Sequence, residues 1–488
     1  MPLKDSNKLL SLSDIEKLDI DEVRDLYKKY VNPGIEKIFS SFSIGMDLFD
    51  KADGMYIYTR DGKKILDLTG GIGVLNHGHN DEKILKARIK YQNEKRMEVH
   101  KLVFSPYIAG LSYNISKLLP NGLNKVFFCN SGAEANEGAL KVAHRYHKGK
   151  KKYVLHSENG FHGKLIATGS ISGKYAKNFN FPFFNFGKTF KTNDLSLLNK
   201  LYNQGEFENV FAIIIEPYSA STLEPVDETF IRKIREICNK LNIILIFDEV
   251  YTGCGKTGYL FNFQRFKDIV PDIITMSKSL GGGKASISAY VVSDKIFKSV
   301  YEKEKDAFIH STTYNGFGEE CLTAIESINI VVGEDFPAKA KKIEHEIIKN
   351  FNILKEKYPN IIKNIKGTGG LHGIFFHDQF KLIQSLIKNI NISFINDNKV
   401  FISKIFLAAL IEKLYSKHKI LTLMGETSLS SSDDTEEFAY LDLKPSLIIK
   451  KEEIEYFFKS LDNVLSEGIN KLNLDFLKKV FKSKIGIN

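Results

Sequence analysis

The chain has 488 residues, 43% of them hydrophobic and 26% charged, and carries a formal net charge of +10. That length is too great for one simple core, and no apolar run approaches the roughly 20 residues a membrane-spanning helix needs, so a multi-part globular protein without membrane spans is expected. Only eight of the 69 basic residues are arginine, and no dense basic cluster interleaves with aromatics, so the charge reads as lysine-rich solvated surface rather than a nucleic-acid face.

In chain order, MPLKDSNKLL lacks an apolar h-region, so a secretory leader is not expected. Residues 1–50 read as short helices broken at Asn32-Pro33-Gly34. Turn signals at Asp53-Gly54 and Asp61-Gly62 flank a strand, Lys64–Leu68, followed by Gly70-Gly71-Ile72-Gly73. From about 80 to 330, strand-like runs alternate with helical patterns. The runs are Lys125–Cys129, Lys152–His156, Val210–Glu216, Ile243–Asp248, Ile273–Met276 and Ser288–Val292; Ala133–His147 and Glu228–Asn239 are helical examples. Such alternation predicts an α/β fold with a mostly parallel sheet covered by helices. From Pro337 the pattern suits a smaller α+β unit. Ser428–Glu437 is polar and acidic and reads as an exposed loop. The expected division is 1–79 and 336–488 in a small domain and 80–335 in a large one. Four cysteines (Cys129, Cys238, Cys254, Cys321) lack metal-ligand spacing, so no metal site and a reduced, cytoplasmic compartment are expected.

Four segments carry chemistry. In IILIFDEVYTGCGKTG an apolar strand ends at Asp248-Glu249, although an unpaired buried charge is costly. Ligands collect at the carboxyl ends of parallel strands, and an Asp there can keep a pyridinium nitrogen protonated. The plainer alternative is a turn cap. In IITMSKSLGGG a second strand ends just before Lys278, whose neighbouring glycines let the backbone pass close to a ring; a lysine held there suits Schiff-base chemistry. FFCNSGAEA runs from a strand into a helix N-terminus at Ser131, Gly132 and Ala133, a cradle for phosphate. Gly160-Phe161-His162-Gly163 places two rings between glycines. Phe161 can stack on a pyridine ring; taken alone, the pair reads as a core Phe and a surface His.

Together these segments resemble the class III (ornithine/ω-amino acid type) aminotransferases, which use pyridoxal 5′-phosphate (PLP). The resemblance spans roughly residues 30–375 and resumes at Asp442–Val464. Asn32-Pro33-Gly34 and His310–Tyr314 are most similar to the putrescine aminotransferase-like branch. It implies fold type I, and a homodimer with the active site at the interface. Lys278 would carry the cofactor as a Schiff base and shuttle the substrate proton. Asp248 would pair with the ring nitrogen. Val250 would pack under the ring and Phe161 stack over it, beside His162. Ser131, Gly132 and Ala133 would hold the phosphate, with Thr313 reaching it from the other subunit. Glu216 and Tyr251 would border the cofactor.

Two positions depart from the family. Asp442 stands where the family has an arginine that forks onto a substrate carboxylate, with Lys444 two residues on. Ser221 stands at the family's gating glutamate. An unopposed Asp442 would repel a substrate carboxylate and favour a distal ammonium; the alternatives are that Asp442 points to solvent or is neutralised by Lys444, and Lys444 could itself bind a carboxylate. The expected reaction therefore moves an amino group from an amine, diamine or ω-amino donor to a keto or aldehyde acceptor. The alternatives are another PLP reaction on this scaffold, such as amination of an acyl chain on a carrier protein or a racemase-type reaction, and a non-catalytic binding module.

Overall fold

The computed structural model describes residues 9–173, 185–377, 399–430 and 435–485. Three strands, β1 (Phe49–Asp53), β2 (Tyr56–Thr59) and β3 (Lys64–Asp67), open the fold. Ahead of them, Asn32 caps the helix Pro33–Phe39, with its side chain accepting from the N–H groups of Gly34 and Ile35 and proline in the first turn.

The central strands are β4 (Leu123–Cys129), β5 (Tyr153–Ser157), β6 (Gly187–Phe190), β7 (Val210–Ile215), β8 (Ile244–Asp248), β9 (Ile273–Met276) and β10 (Ser288–Ser293). They form one seven-stranded sheet in the order β4-β10-β9-β8-β7-β5-β6. Strand β10 runs antiparallel to both its neighbours, and the remaining pairs are parallel. Every residue of β7 (VFAIII) and β8 (ILIFD) is buried, as expected of strands covered by helices on both faces. The helix Glu228–Leu241 shows how that cover forms: Phe230, Ile231, Ile234, Ile237 and Cys238 lie on one buried stripe.

The two ends of the chain meet. Strand β11 (Ile362–Thr368) and β12 (Leu371–Phe376) precede β13 (Ile420–Leu421), β14 (Leu423–Ser430) and β15 (Thr435–Leu443). Strand β13 pairs in parallel with β3 and completes the sheet β1-β2-β3-β13, while β11-β12-β15-β14 form a third, antiparallel sheet. The expectation of an exposed loop at Ser428–Glu437 is corrected here. Ser428 pairs with Glu437 and Ser430 with Thr435 in an antiparallel ladder, and only 431–434 lie outside the described residues. A polar, acidic stretch suggested a loop because composition cannot see the cross-strand partner that makes a hairpin. Residues 378–398 also lie outside the description.

Among the described residues, no helix is long and apolar enough to cross a membrane. No group of three or more His, Cys, Asp or Glu there is placed to hold a metal ion.

Candidate active site

Strands β4, β5, β7, β8 and β9 all point their carboxyl ends to one edge of the central sheet. The segments following them carry the candidate side chains, so residues up to 147 positions apart in sequence converge.

At the end of β8, the Asp248 carboxylate is 3% exposed and is held by several donors. Its Oδ2 accepts from His162 Nδ1 at 2.8 Å and from Asn136 Nδ2 at 2.7 Å. Its Oδ1 accepts from the Val250 N–H at 3.0 Å and the Thr275 hydroxyl at 3.4 Å. Thr275 in turn lies 2.7 Å from Asn136 Oδ1. This polar knot answers how a carboxylate survives at the end of a buried strand. It also corrects one alternative from the sequence: His162 is buried against Asp248, not a surface histidine. Asn136 and Thr275 were missed entirely. No local pattern marks them, because their partner is 112 and 27 residues away.

Lys278 follows β9 with a left-handed φ of 45°, a conformation uncommon outside glycine and often kept at functional positions. Its Nζ rests over the Tyr251 ring, 3.9 Å from the centroid. Burial pushes the amine down to about 8; Asp248 opposes that shift and Lys444 adds to it. An amine with this depressed pKa is partly unprotonated near neutrality and so can act as a nucleophile or accept a proton.

Ser131 caps the helix Gly132–Tyr146. The capping box takes up the N–H groups of Asn130, Ser131 and Glu134 and leaves those of Gly132 and Ala133 for an anion. A Cβ at position 132 would sit 2.6 Å from Val250 Cγ1, so only glycine lets the helix start lie against Val250. Phe161 donates its N–H to Glu216 Oε2 at 3.0 Å. Thr313 lies in the same segment as Thr312 and Tyr314, which bond Asn130 beside the helix start. Ser221 accepts at its carbonyl from Tyr440 Oη at 3.4 Å, so it borders the third sheet.

Glu216 is buried at the end of β7, and burial raises its carboxyl to about 7, with His162 opposing and Asp248 reinforcing the shift. Because the folded value exceeds the ordinary 4.5, the folded state holds the extra proton. The stability this provides is full below pH 4.5 and is lost as pH rises through 7. Glu216→Gln should therefore gain in melting temperature over the parent at pH 8 relative to pH 5. An identical difference at both pH values would contradict the assignment.

Asp442, at the end of β15, and Lys444 form an ion pair at 2.5 Å, both nearly buried. Of the readings open at Asp442, the structure holds the pairing: Lys444 neutralises it, and a substrate carboxylate meets no net like charge there. Lys444 lies one residue beyond the end of β15, and its side chain closes on Asp442. Asp442 Oδ1 has no hydrogen-bond partner. Lys444 Nζ lies 5.3 Å from the centroid of Tyr251, the ring that also carries Lys278. The Tyr251 hydroxyl is likewise buried without a partner.

The family profile of class III aminotransferases matches residues 45–465. The acetylornithine aminotransferase of Prochlorococcus marinus subsp. pastoris is 33% identical over 360 residues, which is 71% of this chain and 82% of that protein. A transaminase from the marine bacterium Virgibacillus superposes with a TM-score of 0.74 at 22% identity, covering 88% of this chain and 94% of its own. The taurine:2-oxoglutarate aminotransferase of Bifidobacterium kashiwanohense, solved with PLP and glutamate, superposes at 0.75 and 22% identity, over 93% and 99%.

Proposed function

The chain belongs to the class III aminotransferases, and we propose that Lys278 is the residue to which its PLP is joined and Asp248 the residue that holds the ring nitrogen. It is a PLP-dependent transaminase of fold type I, moving an amino group from a small-molecule donor to a keto acceptor. The observation that carries the residue assignment is the convergence, at one sheet edge, of a depressed amine, a buried carboxylate and a helix start with free N–H groups.

The site fits the cofactor on its own geometry. The N–H groups of Gly132 and Ala133 face no capping partner, and the Tyr251 hydroxyl is orphaned. When bound, PLP supplies an electron sink for the bond broken at the substrate carbon. The rest falls to this chain. Ser131, Gly132 and Ala133 bind the phosphate. Val250 and Phe161 would pack against the ring. Asp248, held by His162 and Asn136, keeps a proton on the ring nitrogen by opposite charge. Lys278, with its lowered pKa, takes a proton from the donor carbon and returns it. Tyr251 holds the Lys278 amine in place, and Glu216 orients the Phe161 loop.

We further assign residues 80–335 as the cofactor-binding domain and the chain as a homodimer in which Thr313 serves the phosphate of the second subunit. Support for the dimer comes from an exposed apolar strip beside Thr313. Leu102, Phe104, Phe308 and Tyr314 are exposed, and Lys101 bonds the Thr312 carbonyl at 3.0 Å. Such strips mark association surfaces.

We infer that the donor is an amine, diamine or ω-amino compound, because Asp442 Oδ1 is a buried acceptor without a partner near the Tyr251 ring that carries Lys278. A donor panel with purified holoenzyme, read as spectral conversion of the cofactor to its amino form, should show conversion by diamines and ω-amino acids. No conversion by any member of either class would overturn this donor assignment.

A further inference from the structure

A transaminase must seat two unlike substrates in one place by turns, and the Asp442–Lys444 pair has unused capacity of both kinds. Asp442 is 4% exposed and Lys444 8% exposed. The pair is made through one carboxylate oxygen, Oδ2. The other, Oδ1, is buried with no partner, an uncommon state for a buried acceptor. An ammonium has three N–H donors, and Asp442 is the partner of Lys444 Nζ among the described residues. A closed structural ion pair would have its remaining oxygens and protons satisfied by neighbours.

The surroundings aim this capacity at the reaction. Lys278 Nζ and Lys444 Nζ lie 3.9 and 5.3 Å from the same Tyr251 centroid. The sum of those distances, about 9 Å, is the most that can separate the two nitrogens. A molecule of a few carbons can span it. Lys444 is fixed from behind: fully buried Lys256 donates to the Pro445 carbonyl at 2.8 Å, and the Lys444 N–H donates to the Leu68 carbonyl at 2.9 Å. At position 70 a Cβ would fall 2.2 Å from the Lys444 carbonyl, and at 73 one would fall 2.8 Å from the Tyr251 hydroxyl. The glycine segment 70–73 therefore presses directly on both residues. No arginine offers an alternative: among the described residues, none of the eight bonds to Lys278, Tyr251, Asp442 or Lys444.

We propose that the Asp442–Lys444 pair is a two-sided substrate receptor. Asp442 Oδ1 accepts from the remote ammonium of the amino donor in one half-reaction, and the spare N–H groups of Lys444 donate to the carboxylate of a keto-acid acceptor in the other. Neither residue has to release the other, because each uses capacity the pair leaves open. The inference rests on the transaminase reading and adds to it the residues that read the substrates' remote ends.

The test uses holoenzyme and two probes that bind without reacting. Glutarate has carboxylates but no amino or keto group. Protonated N,N-dimethylbutylamine donates a hydrogen bond, but its tertiary nitrogen has no transferable amino group. By calorimetry, Asp442→Asn should weaken the amine about tenfold or more and leave glutarate nearly unchanged, and Lys444→Met should do the reverse, as expected for charge-assisted hydrogen bonds. Should a single variant fail to fold, the double variant Asp442→Asn/Lys444→Met decides, because it strands no buried charge; it should lose both probes. Equal weakening of both probes by each single variant, unchanged affinities, or a folded double variant that keeps either probe overturns the proposal. A holoenzyme that binds the probes as described yet transfers no amino group overturns the transaminase reading instead.

Discussion

Replacing Lys278 with alanine should abolish amino transfer and remove the absorbance that belongs to the covalently joined cofactor, while the far-ultraviolet dichroism stays native. The amine has two tasks. It holds the cofactor covalently, and it moves the proton at the donor carbon. Loss of a positioned acid–base alone costs roughly 10²–10⁴ in rate, and loss of the nucleophile adds to that. No other amine takes its place easily. Lys444 is engaged by Asp442, and Lys256 is turned toward the Pro445 and Lys444 carbonyls. Turnover within tenfold of the parent would contradict the assignment.

Asp248→Ala should lower the rate by about 10²–10³ or more, the scale of removing one preorganised electrostatic partner. It should also destabilise the fold by about 1–3 kcal/mol, because His162 Nδ1 and Asn136 Nδ2 lose a buried acceptor. Asp248→Asn separates the two effects. Its amide oxygen can still accept from one donor, so the stability loss should shrink, but without the charge the kinetic loss should persist. Near-normal turnover in either variant, measured in parallel with urea unfolding, would count against the role of Asp248.

Much of this was legible in the sequence because it is local. The apolar runs became strands β7, β8 and β9 with ends shifted by at most a residue, since a strand buried on both faces has little choice of composition. The helix start at Ser131 followed from cap chemistry written in adjacent residues. Legibility failed where the meaning of a residue depends on a contact that composition does not show. His162 looked ambiguous beside Phe161 because Asp248 is 86 positions away. At Asp442 the sequence left open whether Lys444 closes on it, because a spacing of two residues does not decide whether two side chains meet; they do, at 2.5 Å. The acidic stretch near 430 looked like a loop because its ladder partner is itself. In each case a contact formed only in the fold decided between local readings.

The central claim is that, of the 61 lysines, one carries the cofactor, and it is Lys278. Borohydride reduction of the holoenzyme fixes the cofactor irreversibly to the amine that bears it, and peptide mass spectrometry then locates the added mass. A single phosphopyridoxyl addition is expected in the peptide containing Lys278, absent after prior conversion of the cofactor to its amino form by a donor. Modification at Lys256, Lys444 or any other lysine in place of Lys278, or no modification of PLP-saturated protein, would contradict it.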